Sequence, residues 1–150
     1  MAIWRDSLSL EFLKQHSQNT LIAQLGIEFL EAGDDYLTAR MPVDARTHQP
    51  AHVLHGGASV ALAETLASWA ATFVVDREQS YCVGLEINAN HVRAVASGWV
   101  IGTARPIHLG RSTQVWEVRI SDEQQRLVCI SRVTMAVLAT ANRYGNPPPG

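Results

Sequence analysis

The chain is poor in the residues that would make it a disulfide scaffold, a membrane protein or a nucleic-acid binder. Only two cysteines, Cys82 and Cys129, occur in 150 residues, too few for a disulfide framework or a cysteine-built metal site. Lysine is nearly missing: Lys14 stands alone beside eleven arginines. Twelve basic against fourteen acidic side chains leave a net charge of −2, which excludes a broad basic surface for nucleic acid. Charged residues make up only 17%, against about 25% in an ordinary domain, so some surface is expected to be hidden in an oligomer. No uncharged apolar stretch reaches the roughly 18 residues of a membrane span. The opening, Met1 to Asp6, has no basic segment followed by an apolar run, so no secretory leader and a cytoplasmic setting are expected.

What is present is enough for a core. Hydrophobic residues make up 47% of the chain, and a domain of this size buries roughly 70% of its unfolded surface. One domain over residues 1–140 is expected. A flexible tail over 141–150 follows, extended by Pro147, Pro148 and Pro149. Charge is uneven: residues 1–75 carry four basic and eight acidic side chains, and residues 76–150 carry eight and six. Arginine suits bidentate contacts to phosphate or carboxylate, so the second half is where an anionic ligand would be held.

Ser7 or Ser9 can cap a short helix with Leu10, Phe12 and Leu13 on its apolar side. Thr20 to Leu25 reads as a helical turn stopped by Gly26. Two strands, Gly26 to Ala32 and Tyr36 to Val43, flank a turn at Gly33-Asp34-Asp35. A loop with Pro50 leads to Gly56-Gly57 and a helix running to about Val75. That helix is apolar nearly all round, which predicts a buried central helix. Glu64 is its only charged residue. Beyond it the period is two: Val83, Leu85, Ile87, Ala89 and His91 alternate with Glu86, Asn88 and Asn90. Three further strands follow, and the four together read as a meander. The last, Leu127 to Leu138, reads as apolar on both faces, as if covered on both sides. Antiparallel strands with one helix define an α+β fold, a sheet wrapped around that helix.

The segment that carries chemistry is Gln49 to Glu64. A helix N-terminus presents unpaired N–H groups and partial positive charge, and Gly56-Gly57 lets a ligand approach that backbone. A carbonyl oxygen becoming negative can be held there. Glu64 lies two turns on, with Ser68 one turn further on the same face. A carboxylate in apolar surroundings has a raised pKa, as suits a general base or nucleophile. Asn88, Asn90 and His91 do not make a metal site, because no carboxylate or second histidine stands at ligand spacing.

Five pieces together carry a resemblance: Met41-Pro42-Val43-Asp44, Leu54-His55-Gly56-Gly57-Ala58-Ser59, Ala63-Glu64, Gly84 to His91, and His108-Leu109-Gly110-Arg111. The chain resembles the hotdog-fold acyl-CoA thioesterases, in the branch of the 4-hydroxybenzoyl-CoA and 1,4-dihydroxy-2-naphthoyl-CoA thioesterases, from about Trp4 to Leu138. The resemblance implies Glu64 as nucleophile or base for water, and Gly56 N–H as the donor that polarises the carbonyl. Gln49 and His55 would orient carbonyl and leaving group, Ser68 would assist the attacking water, and His91 would lie near the acyl group. It implies hydrolysis of an acyl-CoA or aroyl-CoA with no cofactor or metal, coenzyme A being part of the substrate. It also implies a homodimer that shares each active site, Glu64 from one subunit and Gln49, His55 and Gly56 from the other, and a homotetramer built from two dimers. Arg93, Arg111 and Ser112 are the candidates for the nucleotide end, ahead of Arg105. The family has Phe-Gly where this chain has Ala51-His52-Val53, so His52 either alters the acyl group accepted or faces solvent. Two other readings are an acyl-thioester dehydratase or hydratase and a non-catalytic acyl-CoA-binding module. The nine-residue gap from His55 to Glu64 and the presence of Glu64 favour the thioesterase over both.

Overall fold

The computed structural model describes residues 1–142. Helices α1 (Leu10–Ser17) and α2 (Leu21–Gln24) precede strands β1 (Glu28–Ala32) and β2 (Leu37–Pro42). The long helix α3 (Gly56–Val74) follows, then β3 (Ser80–His91), β4 (Trp99–Leu109), β5 (Thr113–Asp122) and β6 (Leu127–Ala139), with a 3₁₀ turn at Thr140–Asn142. The caps follow the local chemistry. The Ser9 hydroxyl accepts the Phe12 N–H, and the Thr20 hydroxyl accepts the Ile22 N–H. Gly26, at φ 70°, makes the left-handed turn that ends the second helix. The Pro-rich end of the sequence lies outside the described residues.

The six strands form one antiparallel sheet in the order β1-β2-β4-β5-β6-β3. The expected meander is therefore only partly correct. Strands β4, β5 and β6 are hairpin neighbours, whereas β3 pairs with β6 at the far edge and not with β4. The physical reason is α3. It crosses the concave face and delivers the chain to the far side, and the segment Val92 to Gly98 returns beneath the helix N-terminus. Two backbone bonds fix that return, Leu54 N–H to Val95 O and Val43 N–H to Gly98 O, each 2.8 Å.

The core lies between α3 and the inward side chains of the sheet. Leu37, Ala39 and Met41 of β2 are fully buried there, with Val100 and Ala104 of β4, Trp116, Val118 and Ile120 of β5, and Val133 of β6. From α3 come Leu62, Ala63, Leu66, Ala67, Ala70 and Ala71. Gly102 has no side chain because Leu66 and Leu62 occupy the space: a Cβ there would fall 2.7 Å from Leu66 Cδ1. By length and composition α3 could cross a membrane, but its apolar face is spent on this core.

Three expectations need correction. The helix is not buried all round: Val60, Ala61, Glu64, Thr65 and Ser68 stay partly open. Within the protomer the outward face of β6 is covered only in part: Val128 and Ala136 are buried, whereas Arg132 and Leu138 are exposed. The alternation of β3 breaks at a bulge between Gly84 and Glu86. Beyond it Ile87, Ala89 and His91 share a face, as expected. Before it Cys82 and Gly84 take that face, leaving Val83 and Leu85 exposed at 38% and 61%. The extra residue changes the phase of a two-residue period.

Leu66→Ala should lose about 2–5 kcal/mol, as a buried leucine does when the cavity cannot collapse. Urea unfolding checks this; a smaller loss would show that α3 settles onto the sheet.

Candidate functional site

The first N–H of a helix has no carbonyl one turn before it, and in α3 that N–H belongs to Gly56. His55 is the N-cap. Its Nδ1 accepts the Gly57 N–H at 2.8 Å. A nitrogen that accepts carries no hydrogen, so the neutral ring has its proton on Nε2, available as a donor. The loop before it is pinned by His55 N–H to Thr47 O and by Gln49 N–H to Val53 O. The Gln49 Oε1 accepts the Ala51 N–H at 2.7 Å, which leaves the Gln49 amide NH₂ as a donor. His91, at the end of β3, lies against Gly56: a Cβ on Gly56 would fall 3.0 Å from His91 Nε2. Gln49, Gly56, Ser59, His91 and Arg93 line one cleft of about 480 Å³, with Val53, Leu54 and Val92 as apolar walls.

Glu64 lies elsewhere. It is eight residues further along α3, roughly 12 Å along the axis, and lines a different depression with Val60, Gly84, Leu85 and Ile87. Burial beside these groups pushes its carboxyl above the usual carboxylate range. Ser68 follows one turn later on the same half-open face, its carbonyl accepting the Thr72 hydroxyl at 2.8 Å. The structure thus brings together Gln49, His55, Gly56 and His91, and sets Glu64 and Ser68 apart from them.

The arginines divide in the same way. Arg93 stands at the end of the sheet near Gly56. Arg111 and Ser112 form the β4–β5 turn at the opposite end, separated by the length of β5, roughly 30 Å. Neither Arg93 nor Arg111 has an ion-pair partner among the described residues, whereas Arg105 is held by Asp35 at 2.7 Å. His52 stays out of the cleft. Within the protomer it is exposed, with φ 59°, and its ring faces His48 at 6.2 Å. A larger groove of about 550 Å³ between α1, α2 and β1 holds none of these residues. Cys82 is no nucleophile: burial pushes its thiol up to about 11, and its Sγ donates to Ala71 O. Among the described residues no three His, Cys, Asp or Glu side chains gather as a metal site would require.

Residues 51–129 match the model of the thioesterase superfamily. The chain belongs to that superfamily. It is 52% identical over 136 residues to the proofreading thioesterase EntH of Cronobacter turicensis, covering 91% of this chain and 98% of that one. A mutant of thioesterase PA1618 from Pseudomonas aeruginosa superposes with a TM-score of 0.91 at 51% identity, covering 92% and 99% of the two chains. Thioesterase HI1161 of Haemophilus influenzae does so with the same score at 46% identity, covering 95% and 99%. The fold is therefore the hotdog fold, and the protein is a thioesterase.

Sequence reasoning missed the role of Gly84, whose absent side chain leaves room for the Glu64 carboxylate. The signal was there: an isolated glycine in an alternating strand marks a bulge or a close approach.

The raised Glu64 pKa sets a pH dependence of stability. Below the unfolded value, about pH 4, both states hold the proton and there is no penalty. As pH rises the unfolded chain releases its proton first, so stability falls through the folded pKa and then levels. Glu64→Gln stays neutral throughout. Its melting temperature should match wild type near pH 4 and exceed it at higher pH, the gap levelling once the folded carboxyl has ionised; a gap that does not change with pH would mean that Glu64 is not desolvated.

Proposed function

We propose that this thioesterase hydrolyses an acyl-CoA or aroyl-CoA, at an active site shared between two copies of the chain. One observation carries the proposal. Gly56 and Glu64 both open towards the β3 edge, but at separate places along it: Gly56 beside His91, Glu64 beside Gly84. In one protomer they cannot reach the same carbonyl. An antiparallel pairing of β3 with a second β3, centred on Asn88 and with Leu85 left over by the bulge, sets Gly84 of one copy opposite His91 of the other. Each Glu64 then faces the Gly56 of a second copy. The same two-fold axis brings Arg111 and Ser112 of one copy to the end of the sheet where Arg93 of the other stands, a cationic place for the phosphates of coenzyme A. It also covers Val83 and Leu85 on an edge strand that would otherwise invite aggregation. A homotetramer of two such dimers, working in the cytoplasm, completes the proposal.

In this arrangement the thioester oxygen accepts the Gly56 N–H at the positive end of α3, with the Gln49 amide and His55 Nε2–H as further donors. The Glu64 carboxylate either takes a proton from water, whose oxygen attacks the carbonyl carbon, or attacks it directly. The first route gives a tetrahedral oxyanion held by those donors. Its collapse breaks the C–S bond, and the sulfur leaves with the proton from Glu64. The second gives a mixed anhydride that water then opens. The products of either are the acid and the free thiol. Water is the only other reactant, so no cofactor is needed.

Glu64→Ala should lower release of thiol from benzoyl-CoA or a medium-chain acyl-CoA by at least about a hundredfold; turnover indifferent to this change would mean the site is misplaced. Glu64→Ala and His55→Ala protomers, each inactive alone, should regain about a quarter of the wild-type sites after unfolding and refolding together, because half of the dimers are mixed and each of those holds one intact site. No recovery on mixing would refute the shared site.

A further inference from the structure

The bulge in β3 interrupts the pairing of a strand at the margin of the sheet. β3 is an edge strand, paired with β6 only. Its register passes from Gly84↔Met135 to Glu86↔Thr134, leaving Leu85 without an opposite number and 61% exposed. Bulges of this kind gather beside active sites, where they re-aim a side chain. Here the phase change turns Gly84, rather than a residue with a side chain, towards α3.

What stands opposite is the Glu64 carboxylate. A methyl group on Gly84 would overlap Glu64 Oε1 and lie 3.4 Å from Cδ and 3.8 Å from Oε2. The backbone is not the reason for the glycine. Gly26 and Gly98 are the described glycines with positive φ, and Gly84 is not among them, so an alanine could adopt its conformation. The space is taken by one side chain. That side chain has no other anchor: Glu64 makes no hydrogen bond or ion pair among the described residues, and burial is the cause of its raised pKa. It is held by shape, between Gly84, Ile87 and its own helix.

We propose that Gly84 and its bulge are the positioning element for Glu64, a notch in the edge strand that seats the carboxylate towards the shared edge and partly shields it from water. The proposal rests on the reading of Glu64 as the reacting carboxylate. Gly84 itself touches no substrate; it acts through Glu64. A displacement of about 1 Å can cost about a hundredfold in rate, and a methyl group in the notch demands at least that.

The test combines Gly84→Ala, Glu64→Ala, Glu64→Asp and the two double variants, each followed by kinetics, melting temperature and dimer mass. Gly84→Ala should lower kcat by about a hundredfold with KM within about threefold, the pattern of a lost transition-state interaction. The acidic limb of its kcat profile should move to lower pH, because the displaced carboxylate returns to water. Glu64→Asp, shorter by one methylene, should lower activity in the wild type but raise it in the Gly84→Ala background. Melting should change little, since the free end of Glu64 can swing away, and not at all when Glu64 is already alanine. Wild-type kcat in Gly84→Ala overturns the proposal, and so does a fall in kcat with an unmoved acidic limb. A variant that unfolds or dissociates equally with and without the Glu64 side chain also overturns it, because the glycine then serves the strand or its pairing. Full activity in Glu64→Ala would overturn the catalytic reading itself. Loss there without loss in Gly84→Ala overturns only the notch.

Discussion

Everything in this protein depends on how closely α3 lies on the concave face of the sheet. The helix presents alanines at 58, 63, 67, 70 and 71 to the strands, with Leu62 and Leu66 between them and Phe73 beyond. Small residues let the backbone approach, and Gly102 opposite gives Leu66 its space. The buried indole of Trp116 fills the concavity, its Nε1–H donating to the equally buried Gln114 at 2.9 Å. A polar pair in such a place must be satisfied internally, and it is. Once the helix is seated, its direction fixes where every reacting group falls. α3 runs opposite to β3, so Gly56 meets His91, Glu64 meets Gly84, and Ala71 meets Cys82.

That alignment sorts the chemistry along one edge. The helix N-terminus supplies N–H donors at one end, where partial positive charge accumulates. Midway the apolar surroundings desolvate a carboxylate and raise its pKa. In the proposed reading neither place is an active site alone, and a rigid helix cannot bring them together. The proposed two-fold axis at the edge strand answers this without moving any element: it repeats the edge in reverse, so donor end meets carboxylate end. Low charge content and exposed apolar residues on β3 accord with the same surface being covered.

Much of the architecture was legible. The first helix with its cap at Ser7 or Ser9, the helical turn from Thr20 stopped by Gly26 and the central helix all follow from local chemistry, which acts within a few residues. The candidate catalytic residues were legible from the His-Gly-Gly segment and from one carboxylate in an apolar helix. The place of β3 in the sheet was not, because strand order is decided by where a helix delivers the chain. Nor was the phase of Val83 and Leu85, since a bulge needs only one extra residue and leaves the composition unchanged. His52 shows the same limit: a loop residue's direction depends on backbone angles, here φ 59°.

The sequence by itself determined most of the elements, the family and the candidates for the chemistry, because periodicity, capping and motif are written in near neighbours. Tertiary structure alone decided which of those residues meet. Arg93 and Arg111 read alike in sequence but stand at opposite ends of the sheet, and Arg105 is already paired with Asp35. Glu64 and Gly84, twenty residues apart, share one space. Such pairings are set by packing across the core, where steric exclusion acts between groups that the chain does not place side by side.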